Sequence, residues 1–339
     1  MPRLLLAAMS ALCLAGTAMA QQVSDPNFDA KVARPAYLEK HPRVLFDAAH
    51  FNFHTAEGRY KPFADLLRND GYTVVSNEKK FSPQTLEGFD VLVIVNALGA
   101  ERQNLPGADQ PAFTEEECDA VRDWVRAGGA LLLVADHAPF GAATERLAAR
   151  FGVEMHKGHT FDPQNHDPEI GNLSFLLFSR ENKLLGDHPI TRGRDAAEQV
   201  KRVATFTGQS LKGPEGSVAF LRLGDSAMDR QRPAGGEAEG QSLDRLSDGT
   251  PLPPGARVRV GGMRGATPAA GRAQGIALEF GRGRVVVLGE AAMLTAQLVR
   301  GPGAQLLGVE EFAMGMNRPG NDNRQLALNI LHWLSRLLE

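Results

Sequence analysis

The chain has 339 residues, of which 43% are hydrophobic and 23% charged, with a net charge of −3 and two cysteines. A hydrophobic share of this size supports a sizeable core and excludes a disordered chain, while mild acidity gives no reason to expect nucleic acid or an anionic membrane as a partner. Two cysteines, one of them inside the first twenty residues, leave no internal disulfide to staple the fold.

Residues 1–20, "MPRLLLAAMSALCLAGTAMA", read as a secretory signal. Arg3 gives a positive start, an apolar stretch follows, and Ala18-Met19-Ala20 is a small-x-small cleavage site. The apolar stretch is too short to span a bilayer comfortably, and no later segment is long enough to do so. Cleavage after Ala20 predicts a periplasmic or secreted protein and leaves about 320 residues for one core. Residues 21–42 lack periodicity and read as a leader or linker.

A regular alternation then begins. "RVLF" (43–46) is a buried strand, "YKPFADLLRNDG" (60–71) a helix stopped by Gly71, and "YTVV" (72–75) a second strand. Ser82 caps a short turn with Pro83 at its first helical position, and "DVLVIV" (90–95) is the third strand. Thr114 and Glu117 form a capping box for a helix that Gly128-Gly129 end. "ALLLVA" (130–135) is the fourth strand and "AATERLAARFG" (142–152) another helix. Near-continuous apolar strands alternating with helices predict a parallel α/β sheet covered on both faces.

The second half is less regular. Residues 156–172 carry His156, His159, Asp162 and His166 without an apolar period and read as a long loop, a lid or a second ligand set. Strands are expected over 200–206 and 217–223, and a flexible surface insertion over about 226–262, where Gly, Pro, Arg and acids accumulate. "GIALEFGRGRVVVLGE" (275–290) reads as a β-hairpin; its glycines invite a nucleotide-loop reading, but a turn explains them more simply. An amphipathic helix from Asn321 closes the chain on Leu328, Leu331, Trp333 and Leu334.

Ligands of open α/β sheets bind at the carboxyl ends of the strands. The first strand here ends in Asp47 and runs on to His50, Asn52 and His54; the fourth ends in Asp136-His137; the late hairpin ends in Glu290. On one helical face Asp47, His50 and His54 would suit a divalent ion such as zinc. If the segment is extended, the two histidines stand roughly 13 Å apart and cannot share an ion. A metal-free site instead takes His137 or His50 as base, oriented by Asp47, Asp136 or Glu290. Asn52, Phe51, Phe140 and Asn317 are candidates for binding substrate. The plain alternative has the acids capping the following segments and the imidazoles bonding backbone. Cys118, among Glu115, Glu116, Glu117 and Asp119, reads as a packing residue whose thiol resists ionisation. His332 reads as structural.

The stretches "VLFDAAHFNFHT", "DWVRAGGALLLVADHAPFG", "DHPITRG", "GRGRVVVLGEAAMLTAQ" and "NRQLALNILHWL" together resemble a family of exported bacterial proteins with a class I glutamine amidotransferase-like domain, related to accessory domains of gliding-motility ABC transporters. The resemblance runs from Arg43 to the C-terminus outside the insertion, and implies a flavodoxin-like parallel sheet. It also marks departures. Where a glutaminase carries its nucleophilic cysteine this chain has Asp136-His137, and Glu290 lacks the histidine that would accompany it. Glutaminase activity is therefore not expected. A hydrolase of a small molecule or glycan, metal-assisted or not, remains open beside a non-catalytic binding or accessory domain for envelope carbohydrate or a protein partner.

Overall fold

A computed structural model describes residues 21–231, 240–243, 258–261, 265–300, 304 and 311–339. The signal-sequence reading of residues 1–20 and most of the expected insertion lie outside the described residues. The segment read as a leader is built into the fold. Its start, β1 (Gln21–Ser24), pairs antiparallel with β18 (Ala296–Arg300), which pairs in turn with β19 (Glu311–Gly315). Further on, the Tyr37 hydroxyl donates to Ser335 Oγ at 2.8 Å and the Ala36 amide to Asp70 Oδ1 at 2.8 Å.

The central layer is a nine-stranded sheet. Its parallel half comprises β2 (Arg43–Asp47), β3 (Thr73–Asn77), β4 (Val91–Val95), β5 (Ala130–Val134) and β17 (Gly283–Leu288) in the spatial order β3-β2-β4-β5-β17. Numbered by their succession, these strands run 2-1-3-4-5, the order of flavodoxin-like sheets. β16 (Ala273–Phe280) continues the layer antiparallel, joined on its far side by β10 (Leu211–Lys212) with β6 (Glu154–Met155), and by β11 (Val218–Arg222). The sheet is thus mixed, with its antiparallel strands gathered on one side.

Alternation within the apolar strands divides the core. Val44, Phe46, Val91, Val93, Val95, Leu132, Val134, Val286 and Leu288 pack on one face with α1 (Lys61–Asn69) and the last helix, here α6 (Asn323–Leu334). Leu45, Leu92, Ile94, Leu131, Leu133, Val285 and Val287 pack on the other with α3 (Glu115–Arg126) and α4 (Phe140–Ala149). An unbroken apolar run gives both registers of side chain a dry neighbour, which is why these strands sit inside the sheet.

Two short helices complete the set of six among the described residues: α2 (Pro83–Leu86), capped by Ser82 as expected, and α5 (Pro189–Arg192). The hairpin reading of 275–290 holds: β16 and β17 pair from Gly275↔Leu288 to Phe280↔Gly283. Its glycines serve close approach. A Cβ at Gly283 would lie 2.0 Å from the Val125 carbonyl oxygen, and Gly281 has φ +61 beside the Arg126 carbonyl. The long loop is only partly a loop. β7 (His159–Phe161) pairs with β12 (Met228–Arg230), which pairs with β15 (Ala266–Pro268), so the start of the supposed insertion is a strand tied to the body. Smaller pairs are β8 (Leu177–Ser179) with β9 (Arg202–Ala204), and β13 (Gly240–Leu243) with β14 (Val258–Gly261). Among the described residues no helix is long and apolar enough to cross a membrane.

Candidate functional site at the carboxyl edge of the sheet

Because β2, β4, β5 and β17 run parallel, the residues that follow them share one edge: Asp47, Asn96, Asp136 and Glu290. Strand order reverses between β2 and β4, with α1 and α3 on opposite faces, which is where such sheets open a crevice.

At the β2 end, His50 is enclosed by two acids. Its Nδ1 lies 2.9 Å from Asp47 Oδ2, and its Nε2 lies 2.9 Å from Glu117 Oε1. Asp47 is fully buried, His50 and Glu117 are buried with it, and the His50 ring packs against those of Phe81 and Phe113. Burial pulls the His50 pKa down, but the bonds to Asp47 and Glu117 outweigh it, and the net value is raised. Glu117 goes the other way. Burial raises its carboxyl, the backbone N–H of Thr114 and then His50 lower it, and the net value is depressed. The two shifts share one cause, since the contact between His50 and Glu117 favours the charged form of each. Glu117 also completes the expected capping box, its Oε2 accepting the Thr114 amide at 3.0 Å.

The polypeptide then turns over the end of β4. Phe51 adopts φ +48 and stands 53% exposed, so the segment is neither one helical face nor a straight strand. Asn52 is spent on this turn: Oδ1 accepts the His50 amide at 3.0 Å. His54 lies away from Asp47, between Phe53 and Tyr60, with Nδ1 buried and unpartnered. Burial, then the charge of Arg59, pushes its pKa down to about 3. The metal set Asp47, His50 and His54 is therefore not assembled. His50 spends both nitrogens on acids and His54 is walled off by rings. The described residues contain no group of three or more His, Cys, Asp or Glu placed to hold a metal ion.

Asp136 and Glu290 form a second acidic pair. Asp136 Oδ2 accepts Asn96 Nδ2 at 2.8 Å, Oδ1 accepts the Ala291 amide at 2.7 Å, and the Asp136 amide returns a bond to Asn96 Oδ1 at 2.9 Å. Glu290 is fully buried, and its carboxyl accepts the amides of Ala292 at 2.6 Å and Met293 at 2.8 Å. Burial first, then the charge of Asp136, raises the Glu290 pKa well above the carboxylate range. Burial also raises Asp136, opposed by His137 and the Asn96 amide. Tyr60 closes the cluster by donating to the Ala291 carbonyl at 2.6 Å.

His137 stands in front of this pair, partly exposed, with its ring 3.7 Å from that of His159 at 34°. Its Nδ1 donates to the Ala138 carbonyl at 2.8 Å, which fixes the orientation of the ring. Gln209 braces the turn from below, donating to the carbonyls of Ala135 and Asp136 at 2.9 Å each. Phe140 is buried against Phe53, with ring centroids 5.6 Å apart, so it supports the floor instead of facing a ligand. Asn317 is committed elsewhere, donating to Asp25 Oδ2 at 3.0 Å and the Gln297 carbonyl at 3.1 Å in the side sheet. Cys118 is buried on α3, its thiol pushed up to about 11 by burial.

The edge therefore holds two separately bonded clusters, one around His50 and one around Asp136. Sequence reasoning did not reach Asn96, Gln209, or the second bond of Glu117. Asn96 carries a faint signal, since an asparagine directly after a buried strand suits its left-handed φ of +47.

No family model matches the chain, and no curated protein matches it. Solved structures do. The mmIFT52 N-terminal domain aligns with a TM-score of 0.55 over 86% of this chain and 97% of that one, at 14% identity. A cytoplasmic protein, STM1381, from Salmonella typhimurium LT2 aligns at 0.45 over 86% and 99%, with 13% identity. A ThuA-like protein from Bacteroides uniformis aligns at 0.40 over 88% and 94%, with 12% identity. At such identities the first likeness speaks for the fold alone. Strand order and edge chemistry define a mixed α/β protein whose parallel half has the flavodoxin-like order.

Proposed function

We propose that the protein is an exported, amidotransferase-like domain that binds a small polar molecule or glycan at the carboxyl edge without hydrolysing glutamine. One observation carries this reading. The acids at that edge are already engaged, Asp136 and Glu290 through both oxygens and Asp47 with its histidine, while Phe51 on the turn after β2 is exposed and the His137–His159 pair partly so. Saturated acids make a rigid polar frame, and flat exposed rings suit the faces of a sugar. The elbow position is held by Asp136, and the thiol of Cys118 is buried and hard to ionise, so a thioester route has no nucleophile.

A second reading, a hydrolase, rests on His137, a partly exposed imidazole whose ring is oriented by the Nδ1 bond to a carbonyl and which would exchange a proton with water beside a bound substrate. Glycan arrays followed by calorimetry separate the two. Binding without product, weakened roughly tenfold or more by His137→Ala and by Phe51→Ala, supports a binding domain. Product that vanishes in His137→Gln supports the hydrolase. A glycan and metabolite panel that gives no binding removes both.

A further inference from the structure

A cleft lies at the opposite end of the strands, where β16 finishes and β17 begins. The cleft encloses about 850 Å³, within the range of small-molecule sites. Its walls include Phe151, Leu278, Phe280 and Trp333, and its polar groups include Arg284 and His188. Trp333 and Arg284 are both more than nine-tenths buried.

Arg284 is only half used. Its Nη1 donates to the carbonyls of Trp333 at 2.7 Å and Leu338 at 2.8 Å, which fixes the guanidinium against the end of α6 and 5.0 Å from the Trp333 ring centre. Among the described residues its buried Nε has no hydrogen-bond partner. The nearest acid, Glu279, stands 3.9 Å away with a side chain 74% exposed, beyond bonding distance and screened by water. A buried cation with an unspent edge is costly unless something pairs with it. The other arginine of the cleft, Arg150, is engaged by Glu115 and Asp119.

His188 adds a neutral donor. Its Nδ1 accepts the Ile190 amide at 3.2 Å, so the proton sits on Nε2, and the ring packs 4.9 Å from Trp333. Burial, then the charges of Arg192 and Arg284, holds its pKa near 4, so it does not compete for an anion by charge.

We propose that this cleft binds a small organic monocarboxylate with an aromatic or apolar body, its carboxylate paired with the Arg284 guanidinium and its body between Phe280 and Trp333. The flat fork of a guanidinium edge matches a carboxylate. A dianionic phosphate fits less well, because Arg150 is already engaged by Glu115 and Asp119 and because Glu215, Glu279 and Glu339 line the cleft too. An uncharged ligand would leave the Arg284 edge unpaired. The site is independent of the carboxyl edge and does not rest on its function.

The test uses 4-phenylbutyrate and the uncharged 4-phenylbutan-1-ol, with Trp333 fluorescence read in a Trp124→Phe protein. The acid should give a saturable, sub-millimolar response and the alcohol bind roughly tenfold weaker or worse. Arg284→Gln should weaken the acid to the level of the alcohol. Because Arg284 also holds the end of α6, Val218→Phe serves as the second variant; it narrows the cleft without touching those bonds, adds no tryptophan to the readout, and should abolish the response. Equal affinity for acid and alcohol, no saturation below roughly 10 mM, or an unaltered response in Val218→Phe would each overturn the proposal.

Discussion

His50 and Glu117 are 67 residues apart in the chain and meet at 2.9 Å, one at the end of the first core strand and the other in the first turn of α3. With Asp47 on the other ring nitrogen, this buried link joins β2 to a helix on the far side of the switch point.

The link sets a pH dependence. The folded pKa of His50 is raised, so its contribution is complete below the unfolded value of about 6.5 and is lost as pH rises through the folded value. The folded pKa of Glu117 is depressed, so its contribution is complete above about 4.3 and is lost as pH falls through the folded value. The melting-temperature gap between wild type and His50→Gln should therefore be widest between about pH 4.3 and 6.5. A gap that widens steadily above pH 8 would contradict a buried imidazolium.

Thr114 and Glu117 share a capping box but not a workload. Thr114→Ala removes one cap bond and should cost about 1 kcal/mol in urea unfolding. Glu117→Ala removes the cap, the Phe81 amide bond at 3.0 Å and one of the acids facing His50, and should cost about 3–5 kcal/mol. Equal costs would show that the imidazole link contributes nothing.

Asp136→Asn tests the second pair in two ways. Asp136 accepts on both oxygens, so an amide puts a donor against a donor, and stability should fall by about 1–3 kcal/mol. Removing the neighbouring charge should also lower the Glu290 pKa, which burial would still hold above normal. Carboxyl 13C shifts of Glu290 across a pH titration report this directly, and an unmoved midpoint would mean that the two acids do not interact.

Gly71 tests the role of the leading segment. It has φ +99, and a Cβ there would fall 2.0 Å from the Tyr37 carbonyl oxygen. Gly71→Ala should cost about 1–3 kcal/mol and open residues 21–42 to proteolysis before the rest of the chain. Cleavage at an unchanged rate would return that segment to the status of a loose leader.

Much of this was legible in the residues because it is local. Apolar runs of five, the Thr114 and Ser82 boxes and the glycine-bounded turn after Phe280 each depend on neighbours in sequence. The strand assignment of 43–46 carried Asp47 to the correct edge by connectivity alone. Residues 21–42 and 156–172 misled, since β1 and β7 gain their order from strands far along the chain, β18 and β12. A segment with no pattern of its own can still be ordered by a partner.

The sequence by itself determined the parallel α/β layer and the set of acids and imidazoles after its strands, because alternating apolar runs have few ways to be buried and strand direction decides which residues end together. Only the tertiary structure decided how those side chains are spent: His50 between two acids, His54 among rings, Asn317 in another sheet, and Arg284 half paired in a cleft of its own. A hydrogen bond depends on angles and on tenths of an ångström, and those are set by packing between segments that the chain keeps dozens of residues apart.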